Sequence, residues 1–256
     1  MFDITYIVML VGIGLGGGVI GSIIGVGGGI IFTPVLTLMG LPPTQVAGTS
    51  LVAVAFTSIS SATSYAWQRR IRYAIASKLA VLSIPGAVLG AYLSTVISVD
   101  YFKLFFSILL IIAVAYILFN SRMKHSVAEK EPRLKPYPLI YCCAFAAGVV
   151  SSLFGVGGGI IFVPILLILM RMKMHEAAPA SQFIIMISAI TGLAIHIMFG
   201  HPHYVYALSL AGGAFAGGAI GAELSAYLKE RLLRILLSVT LLFVSTKLIF
   251  DVLYDK

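Results

Sequence analysis

Gly25-Val26-Gly27-Gly28-Gly29-Ile30-Ile31-Phe32-Thr33-Pro34 returns later in the chain as Gly155-Val156-Gly157-Gly158-Gly159-Ile160-Ile161-Phe162-Val163-Pro164. Nine of the ten positions are identical at an offset of 130. A second match follows at an offset of 131, between Gly86-Ala87-Val88-Leu89-Gly90-Ala91-Tyr92-Leu93-Ser94 and Gly217-Gly218-Ala219-Ile220-Gly221-Ala222-Glu223-Leu224-Ser225. Two matches in nearly the same phase mark a tandem duplication. The halves are expected to run over 1–119 and 137–256, joined by a polar linker at 120–136.

Each copy of the motif sits in strongly apolar sequence. Of the 256 residues, 60% are hydrophobic and only 10% charged, where a soluble domain carries about 25% charge. So few charges cannot cover a globule, but they suffice for the loops of a membrane bundle. Each half holds five apolar segments, near 4–24, 30–39, 46–66, 79–97 and 102–119, then 137–154, 160–170, 177–199, 205–226 and 234–252. Most approach the roughly 20 residues needed to span about 30 Å of hydrocarbon. Residues 30–39 and 160–170 are too short for a full crossing at about 1.5 Å per residue. The expected fold is an all-α integral membrane protein. Each half has about three full transmembrane helices plus a Gly-rich broken helix or re-entrant hairpin, for about eight to ten membrane segments in total. Met1-Phe2-Asp3-Ile4-Thr5 lacks a positive n-region, so the first apolar run reads as a retained helix rather than a signal peptide.

Loop charge sets the expected orientation. The linker 120–136 carries Arg122, Lys124, Lys130, Arg133 and Lys135 and is placed in the cytoplasm. All but Lys103, Lys247 and Lys256 of the 17 lysines and arginines then fall on its side, as the positive-inside bias requires. The same bias explains the net charge of +8 without nucleic acid. Both termini come out extracytoplasmic. The basic loop 67–78 matches 200–204, which has no lysine or arginine, so matching loops lie on opposite sides. The halves are expected to be inverted repeats, an arrangement transporters use around a midplane site.

A run of three glycines costs a helix about 1 kcal/mol per residue relative to alanine, so each motif should break one. A half-helix beginning near Gly29 or Ile30 has amides without intrahelical partners and the positive end of the helix dipole. Glycine lets an anion approach them closely. Gly25, Gly27, Gly28, Gly29, Gly155, Gly157, Gly158 and Gly159 are therefore candidate anion-binding residues, with tight helix crossing as the competing reading. Thr49, Ser50, Ser181 and Gln182 open the following helices and are candidate side-chain donors. Elsewhere, Gly213, Gly217 and Gly221, like Gly86 and Gly90, suit close helix packing. Gly12, Gly14 and Gly17 match G-x-G-x-x-G, but no strand precedes them and no acid follows to hold a ribose.

Few ionisable groups fall within the membrane, where such groups are functional candidates. His196 and Glu223 are the candidates for a proton relay, with a structural histidine and a snorkelling glutamate reaching toward Lys229 as the alternatives. They are expected near opposite faces, which gives no acid–base pair for an enzyme. No metal-ligand cluster and no cofactor motif are present; Cys142 and Cys143 read as small packing residues.

Duplicated G-x-G-G-G-x-x-x-x-P motifs, each followed by a helix start such as Val46-Ala47-Gly48-Thr49-Ser50, resemble the TauE/SafE family of sulfite exporters. The second copy departs from this, with Ala178-Pro179-Ala180-Ser181, so asymmetric contacts are expected. The resemblance implies an inner-membrane secondary transporter for sulfite, sulfonates or related sulfur oxyanions, with a proton or sodium ion as the coupling partner. An anion channel using the same helix ends is the alternative.

Overall fold

The computed structural model describes residues 4–98 and 138–229, with isolated positions at 108, 232, 235 and 239. Apart from those positions, the segments expected at 102–119 and 234–252 lie outside the described residues, as do the linker 120–136 and Lys103, Lys247 and Lys256.

All regular structure among the described residues is helical. The helices are α1 (Ile4–Ile24), α2 (Gly29–Leu38), α3 (Pro43–Trp67), α4 (Tyr73–Ser94), α5 (Pro138–Phe154), α6 (Gly159–Pro164, continuing as a π turn over Ile165–Leu169), α7 (Met174–Met198) and α8 (Tyr204–Tyr227). Five of them, α1, α3, α4, α7 and α8, are long and apolar enough to cross a membrane. Pro164 has no amide hydrogen to donate, and the π turn begins directly after it. Helix α4 begins six residues before the segment expected at 79. Hydropathy marks only the part suited to hydrocarbon, whereas the first turns of α4 stand beside the basic loop with Lys78 exposed.

The Gly-rich segments are hairpins. A Cβ added to Gly21 would strike the Gly28 backbone, and one on Gly17 the ring of Phe32, so α2 doubles back along α1. In the second copy Gly158 lies against the carbonyl of Ala147 and the Cβ of Ser151 in the same way.

Small residues then set the packing. Helix α1 runs parallel to α8, with Gly213, Gly217 and Gly221 against the backbone of Val11, Leu15 and Val19. Helix α4 runs parallel to α5 in the matching arrangement, with Gly86 and Gly90 against Phe145 and Val149. Close backbone approach of this kind supplies the van der Waals contact that drives helix association where lipid offers no hydrophobic gain. Helices α3 and α7 occupy the middle. Helix α3 is the most enclosed span, 83% of its apolar window being buried. It can therefore carry Thr57, Ser58 and Ser61, whose hydroxyls bond to carbonyls of their own helix.

The connections gather at two faces. Arg72 pairs with Glu176 at 2.7 Å, and Arg70 donates to the carbonyl of His175, which joins loop 68–72 to 171–175. At the other face His201 and Pro202 lie against Gly48, and the His203 amide donates to Thr49 Oγ1 at 2.9 Å, which joins loop 199–203 to the start of α3. Exposed Trp67, Tyr73 and Tyr227 ring the first face, and Tyr92 and Tyr204 the second. Aromatic rings of this amphipathic kind favour membrane–water boundaries.

Candidate functional site

The two hairpin tips, residues 25–28 and 155–158, meet inside the bundle. Gly25, Gly27 and Gly28 have φ of 79°, 85° and 78°, and Gly155, Gly157 and Gly158 have 72°, 84° and 73°. A side chain in this left-handed region costs about 1–2 kcal/mol, so the turn selects glycine before any ligand is considered. The next glycine in each copy is there for contact. A Cβ on Gly29 would come 2.6 Å from Cα of Val156, and one on Gly159 2.5 Å from Cα of Val26.

Each half ties down the tip of the other. Ser50 Oγ donates to the carbonyl of Gly155 at 2.6 Å, and Ser181 Oγ donates to the carbonyl of Gly25 at 2.7 Å. Gln182 Nε2 donates to the carbonyl of Gly21 at 2.8 Å, and Thr33 Oγ1 to that of Phe154 at 2.9 Å. Among the expected donors, then, Ser50, Ser181 and Gln182 lie at the tips but already serve backbone carbonyls. Thr49 is occupied differently, accepting from His203 at the start of α3. The donors differ between the halves: Gln182 has Leu51 as its counterpart at offset 131, and Gln182 Oε1 and Ser151 Oγ are buried without a hydrogen-bond partner.

Beyond the tips, helices α2 and α6 begin. Among the described residues the amides of Gly28, Gly29 and Ile30 take no backbone carbonyl as partner, and neither do those of Gly158, Gly159 and Ile160. These are the free donors and positive dipole ends that a small anion requires. Two side chains that the sequence reading passed over close the space between them. Val54 and Ile185 both lie against Gly27 and Gly157, and both are fully buried. They too are partners at offset 131, which is the signal that singles them out.

The remaining candidates sit farther along the spans. His196 is fully buried, with Nε2 3.0 Å from the carbonyl of Ser152 and Nδ1 2.9 Å from Nδ1 of His201. Its counterpart Tyr65 donates to the carbonyl of Ser22 at 2.9 Å and carries Arg70 over its ring at 5.1 Å. Half-buried Arg70 also donates to Gln68, Ser225 and His175. Burial draws its guanidinium pKa down while the neighbouring Tyr65 opposes this. Glu223 is exposed on α8, apart from the tips, and no ion pair with Lys229 is found among the described residues.

The family described as "Sulfite exporter TauE/SafE" matches residues 10–248, a span that includes both tips and both serine ties. The chain belongs to the TauE/SafE family. It is a multi-pass membrane transporter. Among the relatives of this TauE/SafE protein is "Probable membrane transporter protein YunE" of Bacillus subtilis, 29% identical over 97% of this chain and 99% of the relative. Another protein with the same descriptive name, from Methanocaldococcus jannaschii, is 28% identical over 90% of each chain. A third, from a Sinorhizobium species, is 26% identical over 91% of this chain and 88% of its own. No solved structure matches. The breadth of these matches places the hairpins, the central helices and the loops of this TauE/SafE protein within one family unit.

Proposed function

We propose that this TauE/SafE protein is a secondary transporter, operating as an exporter, of a small sulfur-containing oxyanion such as sulfite, thiosulfate or a sulfonate. The two halves, 1–119 and 137–256, act as inverted repeats that rock about a midplane site in the inner membrane, with the linker 120–136 in the cytoplasm and both termini outside. A proton or sodium ion is the coupling partner. The observation that carries the reading is the meeting of two buried hairpin tips, Gly29 against Val156 and Gly159 against Val26, each at the start of a half-helix whose first amides take no backbone carbonyl among the described residues. Neutral donors and dipole ends hold an anion reversibly, because no fixed cation has to be separated from it at release.

Inversion is supported by the way the loops pair. Loops 68–72 and 171–175 share the basic face, while 199–203 and the start of α3 share the other. Positions 68–72 and 199–203 correspond at offset 131. The reciprocal serine ties likewise suit two halves exchanged by a two-fold axis. Burial of Val54 and Ile185 between the tips favours a carrier over an open channel, since an ion must displace them to bind. The test is uptake by proteoliposomes offered sulfite, thiosulfate and taurine. Saturable flux of at least one is expected, and folded protein that moves none of them ends the assignment.

A further inference from the structure

Consecutive contacts lay one face of α7 along the first hairpin tip. Ser181 Oγ reaches the carbonyl of Gly25, Gln182 Nε2 reaches that of Gly21, and Ile185 packs on Gly27. The Gly21 carbonyl also accepts from the amides of Val26 at 2.8 Å and Gly27 at 3.1 Å. A Cβ built on Gly21 would strike the Gly28 nitrogen. The Gln182 carboxamide therefore stands where the tip passes into α2. The first amides of that ten-residue helix take no backbone carbonyl among the described residues.

The orientation of the carboxamide follows from its neighbour. A carbonyl only accepts, so the amino group of Gln182 faces Gly21 and Oε1 is turned away from it. The reverse orientation would set two acceptors against each other. Oε1 is then an acceptor without a partner on a fully buried side chain, and it forfeits the hydrogen bond it would make in water. The other tip is built differently. Leu51 holds the matching position on α3 and offers no polar side-chain atom. The orphan there is Ser151 Oγ, whose Cβ lies 3.2 Å from a Cβ built on Gly158. A hydroxyl donates or accepts as its ligand requires, so Ser151 makes no choice between ligands.

The helix start and Oε1 call for different things from one ligand. Amide hydrogens require acceptor oxygens, which every sulfur oxyanion has. A carboxamide oxygen requires a hydrogen to accept. Resting on the transport reading above, we infer that Gln182 is a specificity-determining residue whose Oε1 selects oxyanions that bear an O–H or N–H over those that bear none. The hydrogen sits either on the oxyanion group itself, as in hydrogensulfite, or on a short carbon chain attached to a sulfonate. A ligand lacking it leaves Oε1 unanswered and turns its own lone pairs toward that oxygen. The missing bond and the repulsion act in the same direction.

The test uses anions matched in charge. Proteoliposomes of the full chain at slightly acid pH are offered hydrogensulfite or methanesulfonate, and hydroxyethanesulfonate or ethanesulfonate, with protein-free vesicles as background. Within each pair one member carries the donor hydrogen and the other does not. The donor-bearing member of at least one pair is expected to half-saturate transport at a concentration about tenfold lower. The pair that shows the difference tells where the hydrogen sits. Gln182→Leu, which copies position 51, and Gln182→Met, closer in shape, remove the acceptor and should bring that ratio near one in monodisperse protein. Wild type that treats the members of each pair alike, or moves only thiosulfate, overturns the selection and leaves the transport reading intact. A folded variant that keeps the wild-type ratio overturns it too, whatever else it changes. Should neither variant fold, the two wild-type ratios decide. Wild type that moves none of these anions, nor thiosulfate or taurine, defeats both readings.

Discussion

Ser50 on α3 donates to the carbonyl of Gly155 at 2.6 Å, so a helix of the first half holds the hairpin tip of the second. Ser181 returns the contact to Gly25. Each buried bond contributes about 1 kcal/mol, and an orphaned carbonyl costs about 1–3 kcal/mol more. Ser50→Ala and Ser181→Ala should each lower the melting temperature in detergent, and together by at least the sum. Unchanged melting of the double variant contradicts the role.

Val54 and Ile185 fill the space between the tips. Truncating a buried valine or isoleucine to alanine opens a cavity and costs about 2–5 kcal/mol for the larger side chain. Val54→Ala and Ile185→Ala are expected to be less stable yet to admit anion faster, seen as a raised initial rate in the proteoliposome assay. A fall in rate proportional to lost protein would place these residues in packing alone.

The glycines of the tips should differ sharply from those facing outward. Gly28→Ala meets both a left-handed φ and the Phe32 ring, and Gly29→Ala meets the Val156 backbone. Both should give little monodisperse protein. Gly12 has nothing within 4 Å of an added Cβ, so Gly12→Ala should be neutral or stabilising by up to about 1 kcal/mol through helix propensity. Size-exclusion profiles of the three, run side by side, decide this.

Tyr65→Phe removes one hydroxyl that serves both Ser22 and Ser225. The expected cost is about 1 kcal/mol, with Arg70 still held by Gln68 and His175. Arg70→Gln should be the more damaging change, because it removes ties from loop 68–72 to both α7 and α8 and leaves only Arg72–Glu176 and Gln68–Ala222 in their place. Thermal unfolding of the two variants gives the order, and the reverse order would show that the ring, not the guanidinium, holds this face.

Much of this was legible in the sequence because the duplication repeats its own physics. The glycine run located the breaks, and Gly86, Gly90, Gly213, Gly217 and Gly221 announced close helix packing, though not that the paired helices run parallel. The direction of α2 was left open between crossing and hairpin, since ten apolar residues suit either and only the contact of Gly17 with Phe32 decides. The structure places Ser50, Ser181 and Gln182 against backbone carbonyls of the hairpin segments. Their occupation by carbonyls was hidden, because hydroxyl and amide donors look alike in sequence whatever accepts from them.

The tie from Ser181 to Gly25 spans 156 positions of chain. During synthesis the first hairpin must therefore enter the bilayer with the carbonyl of its tip unanswered, and wait until α7 has left the ribosome. Water or a provisional neighbour has to serve that carbonyl meanwhile, so the first half arrives in the membrane as an unfinished object. Expressed alone it should remain a target for quality-control proteolysis, and co-expression of the second half should rescue it.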